Sequence, residues 1–282
     1  MLVYLNGEFL PEREARVPVE DRGFIFGDGV YEVTRSVDGR LFEEPTHWRR
    51  LQRSLGAIEI DISGALDREA VREISERLLR ENGLTGGHAI VYLQITRGAA
   101  PRTHWFPPAG TPPTVFLSAQ RLEIPRELRE RGADAITHPD QRWARCDLKT
   151  VNLLPNVLVK QRAHAAGVFE AILLRDGVVT EGTSSNVFGV LGGELRTAPL
   201  SNYILPGVTR GVVLELARER GLPVSEQPIT LEELPRLDEV FLTGTTTDVQ
   251  PLVTVDGRPV GTGRVGPIAR ALQEALYRRM AE

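Results

Sequence analysis

Strand signals and helix signals are distributed unevenly along the chain, and this distribution limits the possible folds. The first part is rich in strand signals, such as the β-branched run 30–37 and the apolar run 88–96. The second part alternates strands with helices. We therefore predict an α+β fold with a smaller N-terminal domain over residues 1–120 and a larger C-terminal domain over residues 126–282, each mixing helices and strands.

Apolar periodicity and turn residues place the individual elements. The predicted helices cover residues 46–55, 67–81, 151–166, 209–220 and 266–280. The predicted strands of the second part cover residues 133–138, 169–175, 186–190 and 239–243. Between the strands at 88–96 and 114–119 lies a loop rich in Pro and Gly that carries Arg102 and His104, and loops with such side chains are often functional.

Composition excludes several classes of function. The net charge of -4 argues against a nucleic-acid-binding protein, and no run of 18 apolar residues predicts a membrane span. The single cysteine and the five scattered histidines predict no metal site. No secretory signal is recognisable at the N-terminus, so we expect a cytoplasmic protein. Neither a phosphate-binding P-loop nor a Rossmann glycine pattern is present.

Lysine is unusually scarce. Only Lys149 and Lys160 are lysines among the 34 basic residues. Arg stays protonated, whereas a lysine amine can lose its proton and attack a carbonyl. Apolar neighbours of Lys149 would disfavour the ammonium form, as a Schiff-base lysine requires. A salt bridge from Lys149 to Asp147 at a helix start explains the sequence equally well, and Lys160 is predicted to face solvent.

Two turns could bind a phosphate. Val208 and Thr209 follow Gly207 at the start of a predicted helix, where free backbone N–H groups attract anions. A second hydroxyl-rich turn covers residues 243–247. Alone, each turn is more often an ordinary cap or hydroxyl turn. Together with Lys149 they suggest pyridoxal 5'-phosphate, for which Glu181 would be the acid facing the ring nitrogen unless it is an ordinary turn carboxylate.

Motifs along the whole chain then match one family. They are Glu20-Asp21-Arg22-Gly23, Phe26-Gly27-Asp28-Gly29-Val30-Tyr31-Glu32, Thr96-Arg97-Gly98, Arg145-Cys146-Asp147-Leu148-Lys149, Thr180-Glu181-Gly182-Thr183-Ser184-Ser185-Asn186 and Ile204-Leu205-Pro206-Gly207-Val208-Thr209-Arg210. In their order and spacing, the chain resembles the fold-type IV pyridoxal-phosphate aminotransferases, and among them the D-amino acid aminotransferases. The resemblance runs from about Leu2 to Met280.

The resemblance implies roles around the cofactor. Lys149 would hold it as a Schiff base and carry the proton during transfer, and Glu181 would keep the pyridine nitrogen protonated. The remaining cofactor-binding residues would be Arg50, Leu205, Val208, Thr209 and Thr245. Arg142 and Glu170 match positions near the cofactor. Gly244 and Pro206 depart from the usual residues of the family, which leaves the affinity for the cofactor open.

The resemblance also implies a substrate site. Tyr31, Arg102 and His104 match the residues that bind the substrate carboxylate, and Tyr92 matches a further lining position. In the family the Arg and His come from the other subunit, so a homodimer is implied. The expected reaction is ping-pong transfer of the amino group of D-alanine or D-glutamate to 2-oxoglutarate or pyruvate. The alternatives are a branched-chain L-amino acid aminotransferase, an (R)-amine transaminase and an aminodeoxychorismate lyase.

Overall fold

The computed structural model describes all 282 residues, and the chain divides into two compact units. The first unit contains residues Met1–Ile124 and the short segment Leu148–Asn152, and the second contains Pro125–Asp147 and Leu153–Glu282. Helices and sheets occur in both units, so the predicted α+β class is confirmed. No helix combines the length and the apolar character needed to cross a membrane.

The first unit is built on a six-stranded antiparallel sheet with the strand order β2-β1-β6-β5-β3-β4. Its strands are β1 (Leu2–Leu5), β2 (Glu8–Pro11), β3 (Gly29–Val37), β4 (Arg40–Leu41), β5 (His88–Thr96) and β6 (Thr114–Arg121). Its helices are α1 (Arg22–Phe26), α2 (Glu44–Ala57) and α3 (Arg68–Glu81), besides a 3-10 turn at Glu12–Glu14. The central pair β3 and β5 is in register from Gly29 opposite Thr96 to Val37 opposite His88.

Local sequence explains these elements. The pair Asn6 and Gly7 adopts positive φ angles of 50° and 100°, which tighten the hairpin between β1 and β2. Asp67 caps α3 by accepting a hydrogen bond of 2.8 Å from the backbone N–H of Ala70. The apolar faces of α2 and α3 pack on the sheet, with Leu51 and Leu78 almost fully buried in the core.

The second unit contains a nine-stranded mixed sheet with the order β12-β11-β10-β13-β14-β7-β8-β9, and β15 pairs with β14. Its strands are β7 (Ala133–Pro139), β8 (Glu170–Arg175), β9 (Val178–Gly182), β10 (Asn186–Leu191), β11 (Glu194–Thr197), β12 (Val224–Ser225), β13 (Glu239–Gly244), β14 (Asp248–Val255) and β15 (Arg258–Pro259). Its helices are α4 (Arg126–Arg131), α5 (Leu154–Ala165), α6 (Val208–Glu219) and α7 (Pro267–Ala281), besides a 3-10 turn at Leu234–Arg236.

One predicted helix starts too early. The periodicity predicted a helix from residue 151, whereas α5 begins at Leu154 with Pro155 in its first turn. The preceding segment runs beside β3 instead, where Val151 donates a hydrogen bond of 3.1 Å to the Gly29 carbonyl. This extended path gives Lys149 a neighbouring strand rather than a helix terminus.

Candidate active site

Lys149 is held by its backbone while its amine stays unpaired. Its N–H donates to Ser54 Oγ at 3.1 Å, and its carbonyl accepts from the Tyr31 N–H at 3.0 Å. The Nζ atom lies 4.1 Å from the centre of the Tyr31 ring and makes no hydrogen bond or ion pair. A fixed backbone with an amine free of carboxylates is the arrangement that a Schiff-base lysine needs.

The competing interpretation of Lys149 as the ion-pair partner of Asp147 is wrong. The carboxylate of Asp147 accepts hydrogen bonds from Arg145 Nε at 3.0 Å and Nη2 at 3.2 Å. Lys160 is partly exposed, as predicted, with 43% of its side chain accessible to solvent, but its amine is engaged. Its Nζ donates to the Phe169 carbonyl at 2.6 Å and lies 3.3 Å from Oε1 of the buried Glu170. Of the two lysines, only Lys149 has an unengaged amine.

The buried acid Glu32 binds both Arg50 and His47 in the first unit. Arg50 donates to both oxygens of Glu32, from Nε at 2.7 Å and from Nη2 at 2.8 Å. His47 Nδ1 lies 2.8 Å from Glu32 Oε2. Burial alone would raise the pKa of Glu32, but Arg50 and His47 outweigh it and hold that pKa at about 2. A two-point fork of this kind fixes the guanidinium plane of Arg50.

The protonation of His47 follows from its surroundings. Burial lowers the pKa of His47, and the positive charges of Arg50 and Lys149 lower it further, against the opposing effect of Glu32. The imidazole is therefore neutral near pH 7. Because ionised Glu32 can only accept, the proton of the neutral ring is on Nδ1 and is donated to Glu32.

Four residues predicted to bind substrate all lie in the first unit. The rings of Tyr31 and Tyr92 are 5.8 Å apart, and Tyr92 donates to Gln94 Oε1 at 2.7 Å. Burial, together with Tyr31, raises the pKa of Tyr92 to about 12, so its hydroxyl stays protonated. Arg102 and His104 are both exposed. Both side chains lie near the Phe26 ring. The Arg102 Cζ atom is 5.2 Å and the centre of the His104 ring is 5.7 Å from the centre of that ring.

In the second unit, Glu181 lies buried in β9. Its Oε2 accepts hydrogen bonds of 3.0 Å from the Leu205 N–H and from Asn186 Nδ2, and its Oε1 accepts from Arg142 Nη1. Burial raises the pKa of Glu181 to about 7, although Arg142 acts in the opposite direction. A carboxylate has about four acceptor positions, and three protein donors leave one for a ligand N–H. Glu181 is thus no ordinary turn carboxylate.

An acid behind Arg142 completes this network, and the sequence did not identify it. Asp140 accepts from Arg142 Nε at 2.9 Å and Nη2 at 2.8 Å, and Arg175 Nη2 lies 3.3 Å from its Oδ1. Burial of Asp140 is outweighed by the two guanidinium groups, which hold its pKa at about 2. Asp140 therefore keeps Arg142 pointing at Glu181, and two acids balance two arginines inside the unit.

The two predicted phosphate turns also lie in the second unit. Helix α6 begins after Gly207, and no side chain caps it, so its first N–H groups are free to bind an anion. Thr245 lies in the turn that joins β13 to β14. Next to that turn, the buried hydroxyl of Thr243 has no hydrogen-bond partner. A phosphate would satisfy donors of this kind.

Asn186 links the acid of the second unit to the start of α6. Its Nδ2 donates to Glu181 and, at 3.0 Å, to the Leu205 carbonyl. Its Oδ1 lies so close to Gly207 that a Cβ at that position would collide with it. The sequence placed Asn186 in the matched motif but assigned it no role. The only sequence feature that could have indicated its role is its position, five residues after Glu181.

Comparisons with known proteins agree with this geometry. The sequence profile described as amino-transferase class IV matches residues 29–255. The chain is 44% identical over 276 residues to a D-alanine aminotransferase from Bacillus licheniformis, covering 98% of this chain and 96% of that protein. It is 42% identical over 274 residues to a D-alanine aminotransferase from Staphylococcus haemolyticus, covering 97% and 96%.

Solved structures are similar over the same length. A branched-chain amino acid aminotransferase from Escherichia coli superposes with a TM-score of 0.90 at 31% identity, covering 98% of this chain and 93% of that chain. A branched-chain amino acid aminotransferase from T.th., solved with pyridoxamine 5'-phosphate, has a TM-score of 0.89 at 29% identity, covering 98% and 92%. The predicted fold-type IV architecture is therefore confirmed.

Proposed function

The chain belongs to the class IV aminotransferases, and on that basis we propose that it transfers the amino group of a D-amino acid to a 2-oxo acid in two half-reactions. D-alanine and D-glutamate are the proposed donors, and pyruvate and 2-oxoglutarate the proposed acceptors. The D-alanine aminotransferases are 40% to 44% identical to this chain. The structurally similar branched-chain enzyme from Escherichia coli is 31% identical, which favours the D-amino acid assignment.

Pyridoxal 5'-phosphate is the cofactor of this family, and the residues present fit it. The cofactor's aldehyde needs an unpaired amine, and Lys149 has one. The cofactor's phosphate needs donors, which the uncapped start of α6 and the unpartnered Thr243 hydroxyl supply. The cofactor's ring nitrogen needs an acid with a free acceptor position, which Glu181 provides. When bound, the cofactor withdraws electrons from the bond that the substrate breaks at its α-carbon.

Each proposed cofactor residue has a defined task. Glu181 accepts the N–H of the pyridine ring and keeps it protonated, because a positive charge beside it favours the ionised carboxylate. Lys149 Nζ would take the proton from the substrate α-carbon and deliver it to C4′ of the cofactor. The other residues proposed to hold the cofactor are Arg50 for the phosphate, Leu205 for the ring face, Val208 and Thr209 at the start of α6, and Thr245 in the β13–β14 turn.

The substrate carboxylate is proposed to bind at Arg102 and His104, with Tyr31 and Tyr92 lining the site. A guanidinium presents paired donors that suit a carboxylate. The exposure of Arg102 and His104 supports the family arrangement in which these residues serve the neighbouring subunit. We therefore propose a homodimer as the active form. A cytoplasmic location also stays a proposal.

The single observation that carries the assignment is the unpaired Lys149 amine in a chain with one other lysine. The test is a panel of half-reactions followed by the colour of the bound cofactor, with D-alanine, D-glutamate, L-leucine and (R)-1-phenylethylamine as donors. D-alanine and D-glutamate should convert the cofactor fastest. Turnover of L-leucine without D-alanine would establish a branched-chain enzyme instead, and release of pyruvate from 4-amino-4-deoxychorismate would establish a lyase.

A further inference from the structure

Asp28 binds two buried arginines at once. Arg97 donates to both of its oxygens, from Nε at 2.8 Å and from Nη2 at 3.0 Å. Arg22 Nε donates to Asp28 Oδ2 at 2.9 Å. We call these three residues the Asp28 cluster. Two guanidinium groups buried around one carboxylate depend on its charge, because an unpaired buried cation is strongly disfavoured.

Both arginines of the cluster reach the loop that carries Arg102 and His104. Arg22 Nη1 donates to the Thr103 carbonyl at 2.8 Å, and the guanidinium of Arg97 lies 3.7 Å from the centre of the Phe106 ring. Thr103 is the residue between Arg102 and His104 in the chain. The cluster therefore fixes the backbone between the two side chains proposed to bind the substrate carboxylate.

The other side of the cluster is attached to the rigid part of the first unit. Arg97 Nη1 donates to the Glu59 carbonyl at 2.8 Å and Arg97 Nη2 to the Ile58 carbonyl at 2.6 Å, just after α2 ends. Asp28 directly precedes β3, and Arg97 directly follows β5. The central strands of the sheet thus hold the cluster, and the cluster holds the loop.

From this geometry we propose that Asp28 is a positioning residue for substrate recognition. Its charge holds Arg22 against the Thr103 carbonyl, and this contact fixes the direction in which Arg102 and His104 point. The proposal rests on the proposed function, because it assumes that these two side chains bind the substrate carboxylate. Asp28 touches neither substrate nor cofactor in this account.

The test compares the holoenzymes of Asp28→Asn, Arg22→Met and the double variant with the unchanged protein. Each variant should raise the KM for D-alanine and for 2-oxoglutarate about tenfold, the effect of losing one charged hydrogen bond, with kcat changed less than about twofold. The dissociation constant of the cofactor should not change. Because Asp28 acts through Arg22, the double variant should be no worse than the poorer single variant.

A second readout does not depend on activity. Trypsin cleaves after arginine, and mass spectrometry reports how fast the folded holoenzyme is cut between Arg102 and Thr103. Asp28→Asn and Arg22→Met should accelerate this cut at least about threefold because the loop loses its fixed carbonyl. Glu44→Gln is the matched control, since Glu44 accepts from Arg68 elsewhere in the same unit, and it should leave both readouts unchanged.

The outcomes separate the two proposals. An unchanged KM with unchanged cleavage in the variants would overturn the role of Asp28, as would an equal loss of kcat and cofactor affinity with an unchanged loop. If the unchanged protein does not turn over D-alanine, the proposed function fails, and the cleavage rate alone then decides whether Asp28 holds the loop. If Asp28→Asn does not fold, Arg22→Met decides, because it keeps the Asp28–Arg97 pair.

Discussion

The amine of Lys149 lies 4.1 Å from the centre of the Tyr31 ring, and no acid pairs with it. The aromatic face contacts the amine without giving it a hydrogen-bond acceptor. A carboxylate in that place would favour the ammonium form and block the amine. The contact therefore positions the amine and leaves it available to react with an aldehyde.

Glu181→Gln should lower kcat about 100-fold or more, because an uncharged amide cannot keep the pyridine nitrogen protonated. The measurement is the rate of the D-alanine half-reaction under single-turnover conditions. The cofactor should remain covalently attached, since Lys149 is unchanged. A variant that keeps most of its rate would show that another group protonates the ring.

The raised pKa of Glu181 predicts a pH dependence of the cofactor-free protein. The folded protein holds a proton on Glu181 up to about pH 7, whereas the unfolded chain releases it near its ordinary pKa of 4.5. Stability from this group is therefore lost as the pH rises from about 4.5 to 7. The free energy of unfolding, measured with urea, should fall between about pH 4.5 and 7 in the unchanged protein relative to Glu181→Gln. Above about pH 7 the difference between the two proteins should be constant.

Gly207→Ala should displace Asn186, because the new Cβ would collide with Asn186 Oδ1. Asn186 would then lose its bonds to Glu181 and Leu205, so stability should fall by about 1–3 kcal/mol. The cofactor dissociation constant should rise about tenfold. Gly211→Ala is the control on the same helix. Nothing lies within 4 Å of its new Cβ, so it should raise stability by about 0.5–1 kcal/mol and leave cofactor binding alone.

Glu32→Gln should destabilise the first unit by about 3–5 kcal/mol, because the buried guanidinium of Arg50 would lose the carboxylate that accepts from its Nε and Nη2. The low pKa of Glu32 also predicts the direction in which stability changes with pH. The unchanged protein should lose this stability as the pH falls from about 4.5 towards 2, whereas the variant should not. Glu69→Gln, which removes an exposed partner of Arg72, should have no measurable effect in the same unfolding experiment.

Arg102→Ala should raise the KM for D-alanine and 2-oxoglutarate about 100-fold, since it removes a charged partner of the substrate carboxylate. The absorbance of the bound cofactor should be unchanged. An amine without a carboxylate, such as (R)-1-phenylethylamine, should react at the same rate in the variant and the unchanged protein. Equal losses for both kinds of substrate would contradict a role in carboxylate binding.

Sequence reasoning succeeded where the signal is local. Helix α3 follows from apolar residues at helical spacing and from the cap at Asp67, and β5 occupies the predicted residues 88–96. Strand β14 was not predicted, because it contains Pro251 and follows a turn of three threonines. The start of α5 was placed three residues too early, because the extended path beside β3 depends on contacts that no local pattern encodes.

The candidate site shows the same division. The amine of Lys149 and the uncapped helix start at Gly207 have local signatures. The acids that orient neighbouring arginines have no local signature. Asp28 and Arg97, for example, are 69 residues apart in the chain. Such residues come together only in the folded chain. In the sequence alone they cannot be distinguished from ordinary surface charges.

The most direct test of the account is borohydride reduction of the protein loaded with one equivalent of pyridoxal 5'-phosphate, followed by peptide mapping. The chain offers two lysines, and the account predicts one reduced adduct per chain, on Lys149, and none in Lys149→Ala. Lys160 should stay unmodified because Glu170 and the Phe169 carbonyl bind its amine. An adduct on Lys160, or no adduct at all, would contradict the account.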